Sequence, residues 1–337
     1  MFHTKANNVR KYAIILSCLL ALTVFLSACS NSVDRGSDAS STESSQQETT
    51  KDPAADEAKP KTVTDVMGHE VTIPAHPERI IASYLEDPLV TLGMKPAAQW
   101  SVANGIQDYL QTDLKGIPTI AYDLPTEAVL SFNPDLLIVS SENTVGNGMY
   151  EQLSKIAPTY VLGDKISKDW RQALLKIGEL LNKSPEAEQA LKEYDAKAKD
   201  TKEKLTKAVG QKSAAILWLT NKQFFLVDET VSSAAVLYND LGMLPPNLVS
   251  DIPDDKKASW NSVSLEKLAG LDADYIFLVN SDKMAGTDET LGSPIWKGLK
   301  AVKEGHVIEL PSTSSWLYSG VKAGEQIMDD VLKNLVK

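Results

Sequence analysis

Residues Ser184–Val209, SPEAEQALKEYDAKAKDTKEKLTKAV, decide the fold. Ser184-Pro185-Glu186 supplies an N-cap, a proline in the first turn and an early acid, the signature of a helix start. Charges of both signs then alternate, and apolar residues recur only at spaced positions such as Ala190, Leu191, Tyr194, Leu205 and Val209. This period predicts one long helix with a single narrow apolar stripe. A shorter helix-period segment, WRQALLKIGELLNK, starts at Trp170. The long segment lies midway along the globular part, which favours a helix bridging two lobes over one more surface helix.

On both sides of it strands and helices alternate. Before it, Thr64–Pro74 reads as two short strands around Gly68, Arg79–Ser83 as a buried strand, and Asp87–Leu92 as a helix stopped by Gly93. A strand at Thr119–Tyr122, a helix at Thr126–Phe132 and a strand at Leu136–Ser140 follow. After it, Ala214–Leu219 and Phe224–Val227 read as strands and Ala234–Leu241 as a helix ended by Gly242. Tyr275–Asn280 and Val307–Leu310 are further strands, and Gly324–Val336 a closing helix. The expected class is α/β: two Rossmann-like lobes with mostly parallel sheets, joined by the long connecting helix. The lobes are placed at residues 61–165 and 210–337, with connecting helices at 166–209.

The two halves echo one another. Glu127 begins a helix, and Asn133-Pro134-Asp135 leads into Leu136-Leu137-Ile138-Val139. Glu266 begins a helix, and Asp272-Ala273-Asp274 leads into Tyr275-Ile276-Phe277-Leu278-Val279, with the same spacing from Glu to Asp. The strands end in polar clusters, Ser140-Ser141-Glu142-Asn143 and Asn280-Ser281-Asp282. Ligands of open α/β sheets sit beyond the carboxyl ends of strands, so these clusters, Ser141 and Asn143 among them, are natural cleft residues. Chance similarity of two helix–strand units is the alternative.

Ahead of the globular part, Lys5, Arg10 and Lys11 precede an apolar run from Tyr12 to Phe25, and Leu26-Ser27-Ala28-Cys29 follows. A basic head, an apolar core and a small-residue exit form a secretory signal, residues 1–28. The core is short for a bilayer span, and the alternative is a single anchor helix. Cys18 and Cys29 are the only cysteines. Cys18 leaves with the leader, so Cys29 remains as an odd cysteine without a partner. Residues 29–60 are rich in Ser, Thr, Asp, Glu, Gln and Ala and read as a flexible tether, unable to bury enough surface to order itself. The net charge of −11 argues against nucleic acid.

Enzyme constellations are scarce. No Gly-x-Ser-x-Gly elbow or phosphate loop is present. His3 is in the leader, and His69, His76 and His306 lack zinc-ligand spacing. The acidic residues are scattered, so no catalytic pair stands out. Aromatic residues at loop-like positions are more suggestive: Tyr84 after a strand, Trp100, and Trp316 with Tyr318 in the polar loop Ser312–Gly320. Aromatic faces with a few polar groups suit a flat or greasy ligand, and core packing is the alternative for each.

The globular chain resembles the ferric-siderophore-binding lipoproteins of ABC importers, the long-helix class of periplasmic-type binding proteins, with Gram-positive hydroxamate binders nearest. The carriers are Thr64-Asp65-Val66-Met67-Gly68-His69, Ile73-Pro74, Pro77-Glu78-Arg79-Ile80 and Asn133-Pro134-Asp135-Leu136-Leu137-Ile138. Farther on come Ala235-Val236-Leu237-Tyr238, Leu241-Gly242 and Trp296–Val307. Leu-Ser-Ala-Cys resembles the lipobox, which implies lipid on Cys29 and an extracellular, membrane-anchored monomer of Gram-positive type.

The resemblance further implies two roughly rigid lobes, a connecting helix and limited closure, and one exposed glutamate per lobe, Glu127 and Glu266, that pairs with arginines of the permease. Helix capping is the alternative for both. Trp316 matches a pocket tryptophan of the family, with Tyr318 beside it. Where some hydroxamate binders carry Trp-x-Arg, this chain has Thr230-Val231-Ser232, and its arginines are Arg10, Arg35, Arg79 and Arg171 alone. A bidentate arginine clamp is therefore doubtful, which favours a ferric hydroxamate or citrate–hydroxamate over a strongly anionic catecholate.

The expected partners are that ligand, an ABC permease with its ATPase subunit, and the membrane. No cofactor and no protein-held metal is expected, because the siderophore would hold the iron. The expected ligand-binding residues are Tyr84, Trp100, Ser141, Asn143, Thr230, Trp316 and Tyr318. Another chelate (haem, cobalamin, ferric citrate or a catecholate) and a surface hydrolase remain as alternatives.

Overall fold

The computed structural model describes residues 59–336 apart from 104, 254–257 and 287. The leader, Cys29 and nearly all of the expected tether lie outside the described residues. Among the described residues no helix is long and apolar enough to cross a membrane.

The chain opens with a hairpin of β1 (Lys61–Thr64) and β2 (Glu70–Ile73). Val71 and Ile73 are buried while Glu70 and Thr72 face out, the alternation of a half-buried sheet. Asp65 builds the turn by accepting from the amides of Met67 and His69, each at 2.9 Å. Two small sheets follow. In one, β3 (Ile80–Ile81) and β8 (Thr159–Val161) flank β7 (Leu136–Val139), all parallel. In the other, β4 (Gln99–Val102) lies between β6 (Thr119–Ala121), parallel to it, and β5 (Gly105–Ile106), antiparallel to it. The amide of Ala97 donates to Ile80 O at 2.7 Å, which brings the two sheets side by side. Every residue of β7 is buried, as expected of a parallel strand covered on both faces.

The second lobe is one sheet of β9 (Ala214–Thr220), β10 (Gln223–Val227), β11 (Trp260–Val263), β12 (Tyr275–Asn280) and β13 (Val307–Leu310), in the order β11-β10-β9-β12-β13. β9, β12 and β13 are parallel, whereas β10 runs antiparallel to both neighbours, so this sheet is mixed. The β9–β10 turn needs φ > 0 at Asn221 and at Lys222 (52° and 61°), the geometry that matches strand twist. Asp282 holds that turn by accepting from both amides, at 2.7 and 2.6 Å.

Helices α1 (Glu86–Thr91), α3 (Trp170–Leu180), α4 (Ser184–Val209) and α6 (Val321–Leu335) join the two lobes or stand beside the cleft, and α2 (Thr126–Ser131) and α5 (Leu265–Leu268) precede β7 and β12. The echo between the halves has a structural basis. Asp135, just before β7, accepts from the amide of Arg79, just before β3, at 3.0 Å. Asp274, just before β12, accepts from the amide of Ser213, just before β9, at 3.0 Å. Each aspartate thus ties the starts of two neighbouring parallel strands. Arg79 is structural: its Nε donates to the carbonyls of Asn133 and Phe132, at 2.9 and 3.1 Å.

α4 buries a single stripe, Ala187, Tyr194, Ala198, Thr201 and Leu205. Pro185 lies in its first turn, but Lys183 rather than Ser184 holds the N-cap position, and no side chain caps it. Tyr194 packs on α6 at Gly324, where a Cβ would stand 2.6 Å from the ring, so only glycine admits this approach. The Tyr194 hydroxyl donates to Asp240 at 2.8 Å, and Arg171 bridges Asp195 and Asp240, at 2.7 and 3.2 Å.

The closing helix starts at Val321, three residues ahead of the position expected from its sequence. The reason is a cap from the other lobe: Asp87 of α1 accepts from the amides of Lys322 and Ala323, at 3.2 and 3.0 Å. Gly320 precedes it at φ 140°, so close to the Asp87 carboxyl that any side chain would collide.

Candidate ligand-binding cleft

A cavity of about 270 Å³ opens between the lobes. Its walls come from the chain just beyond β3 (Tyr84, Leu85), β7 (Ser140, Ser141), β8 (Asp164, Ser167, Lys168), β10 (Val231, Ser232) and β13 (Leu317, Tyr318, Ser319). In the first lobe it therefore lies at the carboxyl ends of parallel strands; in the second it lies against the end of antiparallel β10 and the start of β11, so the expected cluster Asn280-Ser281-Asp282 after β12 stays outside its walls.

Aromatic rings dominate one wall. Tyr84 meets Trp100 edge-on, with centroids 5.1 Å apart, and stands 6.2 Å from Tyr318. Tyr318 stacks on Tyr109 at 4.9 Å. Trp170 and Trp260 contribute from other sides, and Trp218 supports Trp260 edge-on at 5.7 Å. Two non-glycine residues with left-handed backbone face each other across the lobes, Tyr84 (φ 64°) and Ser232 (φ 52°). Such strain persists only where the surroundings over-determine it. At Ser232 they do: its hydroxyl donates to Tyr318 O at 2.9 Å, and its amide donates to Ser319 Oγ at 3.2 Å. Gln107 also lines the cleft, and its buried Oε1 has no hydrogen-bond partner among the described residues.

Behind the aromatic wall sit two buried acids. Glu86 accepts from the amide of Trp100 at 2.6 Å, while its Oε2 has no hydrogen-bond partner among the described residues. Burial pushes its carboxyl up to about 8, so it carries a proton at neutral pH. Burial also pushes Asp87 up to about 6, against four donors: the amides of Ala323 and Lys322 and the hydroxyls of Tyr109 and Thr91. These two residues fix the loop that presents Tyr84.

Of the expected ligand residues, the structure brings Tyr84, Ser141 and Tyr318 to the cleft. Trp100 buttresses Tyr84 from behind. Thr230 lines an adjoining depression, with its amide and hydroxyl turned to Asp228. Asn143 is exposed and outside the cleft, where its amide donates to Ser141 Oγ at 3.1 Å. Trp316 needs correction. It is fully buried, stacks on Phe277 at 4.5 Å, and donates from Nε1 to Asp330 at 2.9 Å. Its indole has the polar partner that a buried tryptophan requires, so it belongs to the core.

Sequence reasoning missed Gln107, Lys168, Trp170, Ser232 and Trp260. The alternating Trp260-Asn261-Ser262-Val263 carries a strand signal that would have placed Trp260 at a strand end. Glu127 and Glu266 are both exposed, each in the first turn of its helix, α2 and α5. The backbone amide of Glu266 and the Ser264 hydroxyl hold the Glu266 carboxyl below its ordinary value. Among the described residues no group of three His, Cys, Asp or Glu side chains converges to hold a metal.

Residues 89–313 match the family described as periplasmic binding protein. The chain belongs to that family. This binding protein is 27% identical over 339 residues to the iron(3+)-hydroxamate-binding protein YxeB of Bacillus subtilis (strain 168), covering 98% of each chain. It is 25% identical over 337 residues to the probable siderophore-binding lipoprotein YfiY of the same strain, covering 96% of this chain and 98% of that one. Its fold matches the crystal structure of Staphylococcus aureus SirA complexed with staphyloferrin B at a TM-score of 0.68 and 26% identity, covering 82% of this binding protein and 98% of SirA.

Proposed function

We propose that this binding protein captures a ferric siderophore of hydroxamate or citrate–hydroxamate type and delivers it to an ABC permease for iron uptake. The observation that carries the reading is the aromatic-walled cleft between lobes, with Tyr84 and Tyr318 side by side and serines around them. Aromatic faces match the apolar arms of a chelate, and the hydroxyls match its oxygens. The iron arrives as cargo, held by the siderophore. No catalytic step is assigned to the chain, and ATP hydrolysis falls to a separate subunit. Glu127 and Glu266, exposed at matched positions in the two lobes, are the proposed contacts to permease arginines. Cys29 is the proposed site of lipid attachment, keeping the protein at high local concentration beside its permease.

Tryptophan fluorescence tests the reading, because Trp170 and Trp260 line the cleft and Trp100 stands behind Tyr84. Ferrichrome, ferrioxamine or ferric schizokinen should quench the emission saturably. An unchanged signal with all three, and with ferric catecholates, would refute it.

A further inference from the structure

The cleft takes part of its lining from the connector rather than from either lobe. Trp170 and Ala173 both line it, three residues apart on α3, so one side of α3 fronts the cleft. Trp170 is half-buried and is the first residue of its helix. Asp169 fixes that helix start by accepting from the amides of Arg171 and Gln172, at 3.1 and 3.2 Å.

Two neighbours then set the Trp170 ring. Tyr194 of α4 meets it edge-on, with centroids 4.8 Å apart and planes at 63°. The Arg171 guanidinium stands over both rings, its central carbon 4.6 Å from the Trp170 centroid and 4.9 Å from that of Tyr194. Two carboxylates hold the guanidinium there. Nη1 donates to Asp195 of α4 at 2.7 Å, and Nη2 donates to Asp240 of the second lobe at 3.2 Å. Asp240 also accepts from the Tyr194 hydroxyl at 2.8 Å. Arg171 lines the adjoining depression and not the cleft itself. Its charge is thus used inside the protein, and what it gives the cleft is the placement of a ring.

Arginine suits that task because one flat group can both stack on a ring and fork to two carboxylates. A ring held before the ligand arrives loses little side-chain freedom on binding, so more of its contact energy appears as affinity. On the ferric-siderophore reading, which this role deepens, we propose that Trp170 is the connector's own ligand contact, against an apolar arm of the chelate, and that Arg171 is its positioning residue, acting through the ring without touching the chelate. Because Arg171 is tied to Asp240, the second lobe takes part in placing a contact that the connector presents.

The test is a double-mutant cycle on affinity with Trp170→Leu, Arg171→Lys and the two combined. Ferrichrome, ferrioxamine, ferric schizokinen and a ferric catecholate are titrated, and quenching is read from the remaining tryptophans, Trp100 and Trp260 among them. Lysine keeps a charge beside Asp195 and Asp240 but has no flat face to stack on the ring. For a chelate that quenches wild type, Trp170→Leu should weaken binding about tenfold and Arg171→Lys about threefold. The combined variant should bind no more weakly than Trp170→Leu alone. If Trp170→Leu does not unfold cooperatively in urea, Trp170→Phe replaces it in the cycle, with a loss of about threefold expected. Wild-type affinity in the Trp170 variant overturns the contact. Wild-type affinity in Arg171→Lys, or a further threefold loss when the two changes are combined, overturns the positioning role. Each of these results leaves the siderophore reading standing. If none of the four chelates quenches wild type, the siderophore reading falls and the contact falls with it.

Discussion

Glu86 makes the protein's stability depend on pH in a direction opposite to that of a salt-bridged acid. Its carboxyl rises from 4.5 to about 8 on folding because burial penalises the charged form more than the amide of Trp100 stabilises it. Between those values the folded chain keeps a proton that the unfolded chain gives up, so the unfolded state binds fewer protons and stability falls as pH rises. The contribution is complete below pH 4.5 and is lost progressively up to and beyond pH 8. With about 1.4 kcal/mol for each pH unit of difference, the loss from about pH 5.5 to about pH 8.5 comes to about 3 kcal/mol. Glu86→Gln removes this titration and keeps an oxygen to accept from the Trp100 amide. Urea unfolding of both proteins across this range, compared as differences, cancels most of the contribution of other groups. Wild type should lose about 3 kcal/mol relative to the variant over the range. Parallel stability curves would refute the assignment of a protonated, buried Glu86 behind the aromatic wall.

Other perturbations separate core from cleft. Trp316→Phe keeps the stack on Phe277 but loses the bond to Asp330, and should cost about 2 kcal/mol in urea unfolding while ligand affinity stays within about twofold; a tenfold loss of affinity at unchanged stability would return Trp316 to the ligand. Asp87→Ala strips the cap from α6 and should destabilise by about 1–3 kcal/mol, with hydrogen exchange rising first at Lys322 and Ala323. Charge reversal, Glu127→Lys with Glu266→Lys, should abolish iron uptake by cells while leaving ligand titration unchanged, and a matching loss of binding would sink the docking role.

The sequence signals that proved legible were local. β12 and β13 occur at the residues their apolar runs predict, and α4 buries the expected stripe through Tyr194 and Leu205. The Asp135 and Asp274 echo was legible because each aspartate acts at a fixed offset from its own strand. Features set by distant partners were not. The start of α6 depends on Asp87, in the opposite lobe, so no local pattern near Val321 could announce it. Trp316 misled for a related reason. The polar run Ser312-Thr313-Ser314-Ser315 suggests an exposed loop, yet Ser315 is itself buried, and the indole finds Asp330 on α6. Tyr84 was legible because a large aromatic just past a buried strand has no core position left to take.

The same long-range contacts bear on how the cleft can work. By chain order α6 belongs to the second lobe, but its first turn is anchored in the first. Asp87 takes its amides, and Gln326 donates to Tyr109 O at 3.1 Å. Along its length α6 packs on α4 through Gly324 and Tyr194, and Lys197 pairs with Asp329 at 2.8 Å. A hinge that swung the second lobe outward as a rigid body would pull α6 off Asp87. Two amides and a buried carboxyl would then lose their partners, at a cost of several kcal/mol. The connecting helix and the shared closing helix therefore resist wide opening of the lobes, which matches limited closure rather than a free hinge. Within that frame Tyr84 is 48% exposed to the cleft, with its ring set between Trp100 and Tyr318. Ligand fit then starts from two lobes already tied together, and the proposed docking residues Glu127 and Glu266 stand exposed on lobes that the two helices link.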